Sequence, residues 1–332
     1  LNMGALLADM HESTIERSRI QLVGAIFGAI AAIGAIMIPS FLLTSDINLP
    51  LFQSVLVVLA VISLIFLEIC AYKVQIRFIE EPDNPMGLID SIKEAVKNRS
   101  FMALVLSNFT MIFLSGVATG ALFYFIEYVL QVEGFGLVIP IIFILLGIAI
   151  GAVLLMQWMK TIGGRSAMLR GMSVAGIGLI SLTFLPSPFI YVSLSFVGFG
   201  LIMPLLLFNV LVGDLADEDE LKTGNRREGM FFGFNALITK PAQRLAASFI
   251  VYMLACFQYV KPMKEGDLFI SQPQSEFTIW GMRLMYGLIP GLFVLFGVWI
   301  FSFYLLSGDR LMEVKRQLAE KNQPNKNRTN PD

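Results

Sequence analysis

The 332-residue chain is 56% hydrophobic and only 15% charged, with a formal net charge of -1 and a mean hydropathy of +0.73. A soluble domain carries about 25% charged residues, so this composition excludes a soluble globular protein and points to a polytopic membrane protein. One histidine, His11, and two cysteines, Cys70 and Cys256, exclude histidine-based catalysis, a multi-histidine metal site and a disulfide framework. The cysteines lie in or beside apolar runs and read as small buried hydrophobes.

Residues 1–10, LNMGALLADM, read as the end of an apolar helix, so the chain is expected to continue upstream. A polar turn, HESTIERSR, separates them from two predicted spans, 20–43 and 49–72. Each exceeds the ~18 apolar residues that mark a membrane helix. Residues 73–100 are polar. EEPDNP signals a loop, and Leu88, Ile89, Ile92, Ala95 and Val96 then recur at helical spacing opposite Lys93, Glu94 and Lys97, which predicts a short interfacial helix. Six more spans follow at 101–130, 136–159, 167–185, 188–213, 229–256 and 279–306. Residues 307–332 read as a polar tail that ends in a disordered segment, KNQPNKNRTNPD.

Basic residues test this span list. Nineteen of the 24 Lys and Arg fall on one side, only Lys261 and Lys264 on the other, and Lys240, Arg244 and Arg283 within spans. Positive charge collects on the cytoplasmic side, which predicts a multi-pass protein of the cell membrane with a cytoplasmic C-terminus. Two spans, a long linker and six closely spaced spans fit a transporter made of two six-span bundles with its first four spans upstream. The predicted segments are 1–72 (remnant of the N-terminal bundle: the end of helix 4, then helices 5 and 6), 73–100 (cytoplasmic linker), 101–306 (C-terminal six-helix bundle) and 307–332 (cytoplasmic tail).

The most informative stretch is DLADEDELKTGNRREGMFFGFNALITKPAQR, residues 214–244. Lys240 lies 11 residues beyond Gly229, about 16 Å along a helix and close to the midplane of a ~30 Å hydrocarbon core. A cation at that depth marks a functional site by default. Arg244 and Gln243 share its face. Two adjacent cations need an anion, and the spans offer only Glu68 and Glu127, both near span ends. The anion then comes either from upstream helices or from the substrate. Pro241 can bend this helix, and Gly24/Gly28 and Gly147/Gly151 form close-packing faces. Asn108, Ser115 and Thr119 fall near one face of the 101–130 span and can line a solute path or join helices; Asn235 and Thr239 are further pocket candidates. Tyr124, Tyr128 and Trp158 sit at span ends as belt residues. Asp214 and Asp217 sit at the negative end of one predicted span, Arg226 and Arg227 at the positive end of the next. Both pairs therefore need partners, which predicts a cytoplasmic gate of paired charges or else a solvated loop.

Three stretches carry a resemblance. ALLADMHESTIERSRI at 5–20, with Glu16 and Arg17, GALFYFIEYVL at 120–130, and above all GDLADEDELKTGNRREG at 213–229 are similar to segments of the glycoside–pentoside–hexuronide:cation symporter family, the melibiose-permease-like branch of the major facilitator superfamily. The family's intramembrane lysine falls on Lys240. The resemblance implies an all-α major-facilitator-type helical bundle, with about eight of twelve transmembrane helices in this chain. It implies alternating-access symport of a sugar, glycoside or hexuronide with Na+ or H+, the cation site lying mainly on the upstream helices. The 160–170 loop, KTIGGRSAMLR, departs from the basic glycine-rich loop common in the superfamily.

The expectations are a monomer in the lipid bilayer whose partners are a small solute and a coupling cation. Enzyme motifs, metal ligands and a nucleic-acid surface are not expected, since the basic clusters flank spans. The other readings are a lysolipid-type or other organic solute, and a non-transporting receptor or inactive fragment.

Overall fold

A computed structural model describes residues 19, 20, 22–24, 27, 28, 31, 34, 49–73, 93, 95–132, 136, 138–224, 228–265 and 268–322. The chain divides into two compact units, one within Leu6–Glu81 and one within Pro82–Asp332.

The first unit contains helix α1, Leu49–Lys73. Its stretch Gln53–Cys70 is apolar enough to cross a membrane. The hydroxyls of Ser54 and Ser63 donate back to the carbonyls of Pro50 and Leu59, each at 2.8 Å, so both are satisfied within the helix. The described residues of the predicted 20–43 span are helical. A Cβ at Gly24 or Gly28 would meet none of the described residues within 4 Å.

In the second unit, helix α2 (Arg99–Tyr124) runs into a π-helical segment, Phe125–Leu130. Helices α3 (Val138–Thr161), α4 (Gly163–Phe184), α5 (Phe189–Thr223) and α6 (Glu228–Cys256) follow. A short antiparallel hairpin, β1 (Met263–Glu265) and β2 (Leu268–Ile270), precedes α7 (Glu276–Arg283), a π-helical turn (Leu284–Leu288) and α8 (Ile289–Phe301). Helix α9 (Asp309–Asn322) closes the described chain. Short connections make the elements alternate in direction. One end of the unit carries the starts of α2 and α6 and the whole of α9; it is called the basic end. The other carries the hairpin.

Among the described residues, six helical stretches are long and apolar enough to cross a membrane, five of them here. Helix α6 matches them with 29 residues but carries Lys240 and Arg244 in its middle. The protein is a multi-pass membrane protein. Within this unit α5 packs on α3 and α4, and α2 packs on α6 and α8. Glycines set the closest seam. A Cβ at Gly147 would overlap the Ser195 carbonyl, and one at Gly198 the Ile144 carbonyl, so α3 and α5 approach backbone to backbone.

Several boundaries differ from the sequence expectation. Helix α5 runs ten residues past the predicted end at 213 and stops at Gly224, whose φ of 77° is the left-handed cap that glycine favours. The segment DLADEDELKT, read as a loop, is therefore helix. Helix α4 starts at Gly163, so only a tight turn separates it from α3. Pro204 and Pro241 sit inside continuous helices. The tail contains a 14-residue helix, α9. The all-α expectation holds apart from the hairpin. Cys70 is half-buried and Cys256 exposed, contrary to their reading as buried hydrophobes. Tyr128 is buried and its hydroxyl lies 3.4 Å from that of Tyr259, so it joins loop to helix instead of facing lipid. In the predicted interfacial helix, 93 and 95–97 are helical, with Ala95 buried and Val96 exposed; the rest lies outside the described residues.

Candidate functional site

Helix α6 is built with two faces. Thr239, Ala242, Ala246 and Ile250 are buried against α2. A Cβ at Gly116 would overlap that of Ala246, and one at Gly120 would press on Ile250, so the two helices run parallel in close contact. Phe101 lies 4.7 Å from Phe231 near the basic end of this seam, and Phe113 lies 5.5 Å from Phe249 further along it, ring to ring. Small residues draw α6 onto α2, and the 3.6-residue period then turns Lys240, Gln243 and Arg244 the opposite way. All three are exposed within this unit.

These side chains line an open groove of about 620 Å³ together with Pro241, Leu245 and Ser248. Lys240 lies 12 residues from the start of α6, about 18 Å along it. Among the described residues neither Lys240 nor Arg244 has a carboxylate partner. Pro241 donates no amide hydrogen, which leaves the Leu237 carbonyl without its intrahelical donor beside the groove. The groove therefore offers two cations one turn apart, an amide, a hydroxyl and a freed carbonyl. That set complements a carboxylate flanked by hydroxyl groups.

The structure joins two other predicted residues. Asn108 Nδ2 donates to Asn235 Oδ1 at 3.0 Å, linking α2 to α6 a little over one turn toward the basic end from Lys240. Thr239 Oγ1 donates to the Asn235 carbonyl at 2.8 Å. This small network sits in the seam under the groove and fixes the rotation of α6. Thr119 is exposed; its hydroxyl donates to the Ser115 carbonyl, and no hydrogen bond brings it to Lys240. By the register of the seam it lies beyond Arg244, toward the hairpin end. Ser248 was not singled out from sequence, although its spacing from Lys240 and Arg244 puts it on their face.

The predicted gate residues divide. Arg226 and Arg227 lie outside the described residues. Asp214 and Asp217 are buried in α5, at 1% and 7% exposure. Asp214 Oδ1 accepts from Lys315 Nζ of α9 at 3.0 Å. The next carboxylate, Glu218, pairs with Arg310 of α9 and with Lys222 at 3.1 Å. Sequence reading missed Glu218, Arg310 and Lys315, because the 307–332 segment was taken as tail. Arg283, near the start of the predicted 279–306 span, donates to the carbonyls of Thr183 and Leu185 at 3.3 and 3.2 Å and so caps α4.

Comparisons with known proteins agree with this architecture. A glucuronide carrier protein homolog of Escherichia coli (strain K12) is 22% identical over 78% of this chain and 55% of its own length. An uncharacterized symporter of Bacillus subtilis (strain 168) is 25% identical over 96% of this chain and 68% of its own, and one of Synechocystis sp. is 28% identical over 41% and 24%. The chain thus spans about a quarter to two-thirds of the length of these relatives. Residues 2–308 match the MFS/sugar transport protein family. The chain belongs to that family, and its helices form a bundle of the major-facilitator type.

Proposed function

We propose that the protein is a secondary active transporter that moves a sugar, glycoside or hexuronide by alternating access, driven by co-transport of Na+ or H+. The observation that carries this reading is the mid-helix groove with Lys240, Gln243 and Arg244 exposed along it. Burying two cations at mid-membrane costs several kcal/mol unless an anion or water meets them. A groove that keeps both open suits a solute bearing its own carboxylate. The relatives, two symporters and a glucuronide carrier homolog, support the same direction. Within this reading Lys240, Gln243 and Arg244 contact the solute, Asn108 and Asn235 position α6, and Thr119 lines the path. The basic end faces the cytoplasm, the protein works as a monomer in the cell membrane, and it performs no covalent chemistry.

The test is uptake by the full-length native protein in proteoliposomes, under imposed sodium or proton gradients, with a panel of neutral glycosides and uronates. Gradient-driven uptake with competition by uronates is expected. Absence of any gradient-driven uptake across the panel overturns symport. Competition by neutral glycosides but not by uronates overturns the carboxylate assignment alone.

A further inference from the structure

Arg283 stands within an apolar stretch, Glu276–Phe301, that is long enough to cross a membrane. Its guanidinium stays charged at any working pH. It meets the hairpin end of α4 reciprocally: Nη1 donates to the Thr183 and Leu185 carbonyls, and Thr183 Oγ1 donates to the Arg283 carbonyl at 3.2 Å. Helix α4 stops at Phe184, and the residues that follow, Pro186 to Phe189, are exposed. The cation therefore lies where hydrocarbon gives way to head groups.

Capping occupies Nη1 alone. Among the described residues Nη2 and Nε find no acceptor, and no carboxylate pairs with Arg283. The end of α4 supplies about half an elementary negative charge, which leaves the rest of the cation uncompensated. Glu276, the acid of the same helix, lies seven residues away, about 10 Å nearer water. Unused, forked N–H donors on a half-buried guanidinium suit a phosphate group.

An apolar trough runs from this point along α4. A Cβ at Gly287 would overlap the Thr183 hydroxyl, one at Gly291 would come within 2.9 Å of the Gly176 carbonyl, and one at Gly176 would overlap Leu295. Rising numbers on one side meet falling numbers on the other, so α4 runs antiparallel to the π-helical turn and α8, backbone close to backbone. The rows one residue beyond this seam then stand on the same side of it. Ile177 and Phe184 on α4 and Leu292 on α8 are exposed there, and Leu288 of the turn is half-buried. Trp280, exposed and one turn from Arg283, stands at the mouth, the level that tryptophan favours in a bilayer.

We propose that Arg283 is the head-group anchor of a bound anionic phospholipid, whose phosphate meets the unused N–H groups and whose acyl chain lies in the α4–α8 trough. A zwitterionic lipid brings its own ammonium to the phosphate and is held less tightly. The site belongs to α4, α7 and α8, apart from α6 and its groove, and does not rest on the transporter reading.

The experiment uses the full-length protein in phosphatidylcholine nanodiscs with Trp280 as its single tryptophan, the others, Trp158 and Trp299 among them, replaced by Phe. A fixed fraction of the lipid is brominated in its acyl chains, as phosphatidylglycerol or as phosphatidylcholine, and bromine quenches the indole it touches. Phosphatidylglycerol should occupy the site roughly 3- to 10-fold more tightly than phosphatidylcholine, and Arg283→Gln should bring that ratio to about one. With Trp299 as the single tryptophan, at the opposite end of α8, Arg283→Gln should leave quenching unchanged, which separates a lost site from a lost fold. Excess inorganic phosphate at constant ionic strength should not displace the lipid. Equal quenching by the two lipids at Trp280 with Arg283 in place overturns the site, as does a preference that survives Arg283→Gln or a change of equal size at Trp299. Displacement by inorganic phosphate overturns the lipid assignment. Each result is read whether or not any solute is carried.

Discussion

Arg244 and Lys240 differ in what they offer an anion. The guanidinium can grip a carboxylate with two parallel hydrogen bonds, whereas the ammonium is a point charge on a flexible stem. Removing one charged hydrogen-bonding partner costs about 1.5–3 kcal/mol, so Arg244→Gln should raise the KM for a uronate by about 10- to 100-fold and leave a neutral glycoside within about twofold. Equal loss for both solutes would place Arg244 outside carboxylate recognition. Asn108→Leu acts differently. It strips the Asn235 amide of its cross-helix donor, and such bonds contribute about 0.6–2 kcal/mol in membranes. The expected outcome is a lower midpoint of thermal unfolding together with weaker uptake of every solute alike, read by a fluorescence melt beside transport. At this scale the sequence was legible where one physical rule sufficed. Depth and helical period placed Lys240, Gln243 and Arg244 on one face, and the same period would have supplied Ser248. The partner of Asp214 was not legible, because an ion pair to Lys315 joins residues 101 positions apart and obeys no local spacing.

Elements divide into seams built by absence of side chains and seams built by charge. At Gly147 any larger residue must displace the Ser195 backbone of α5, and overpacking of that kind costs about 1–3 kcal/mol. Gly147→Leu should therefore lower the melting midpoint by several degrees or abolish assembly, detectable by size-exclusion chromatography in detergent; an unchanged melt would show that α3 and α5 can separate freely. At the hairpin end the contact is polar. Ser271 Oγ donates to Glu127, and Tyr124 and Tyr128 pack edge-on against Tyr259. Burial first, then the hydrogen bond with Tyr128, raises the Tyr259 hydroxyl above its ordinary value. The raised value means the folded form favours the protonated phenol. This stabilisation is complete below the unfolded value of about 10 and fades as pH rises through the folded one. Ultraviolet titration should show a tyrosine that ionises later than free tyrosine, and Tyr259→Phe should remove one phenol from that late step. Span existence was readable because apolar length suffices for it. Span ends were not, since α5 continues past Leu215 with its acids paired to residues remote in sequence, Lys315 with Asp214 and Arg310 with Glu218. Helix α9 itself has a narrow apolar stripe, Leu311, Val314 and Leu318, in an otherwise charged run, so mean polarity concealed it.

For the whole molecule, charge asymmetry decides orientation. Among the described residues Lys261, Lys264 and the helix-capping Arg283 are the basic residues of the side that carries the hairpin, while Arg99, Lys160, Arg165, Arg170, Lys222 and the α9 cations gather at the other end. Their local roles point the same way: Arg170 lies 5.6 Å from the Trp158 ring and Arg99 5.0 Å from that of Phe303, cations resting on aromatic faces at the basic end. Retention of positive charge in the cytoplasm supports the proposed placement of the basic end inside. The alternation of spans is enough to make this proposal from sequence, because the bias depends on which side a residue falls and not on what it touches. The direct check places one cysteine at each end of an otherwise cysteine-free full-length protein. Met263→Cys, 65% exposed in the hairpin, should react with an impermeant maleimide added to intact cells, whereas Met312→Cys on α9 should react only after the membrane is opened. The reverse pattern would invert the bundle, place α9 outside, and remove the cytoplasmic assignment of the Asp214 and Glu218 pairs.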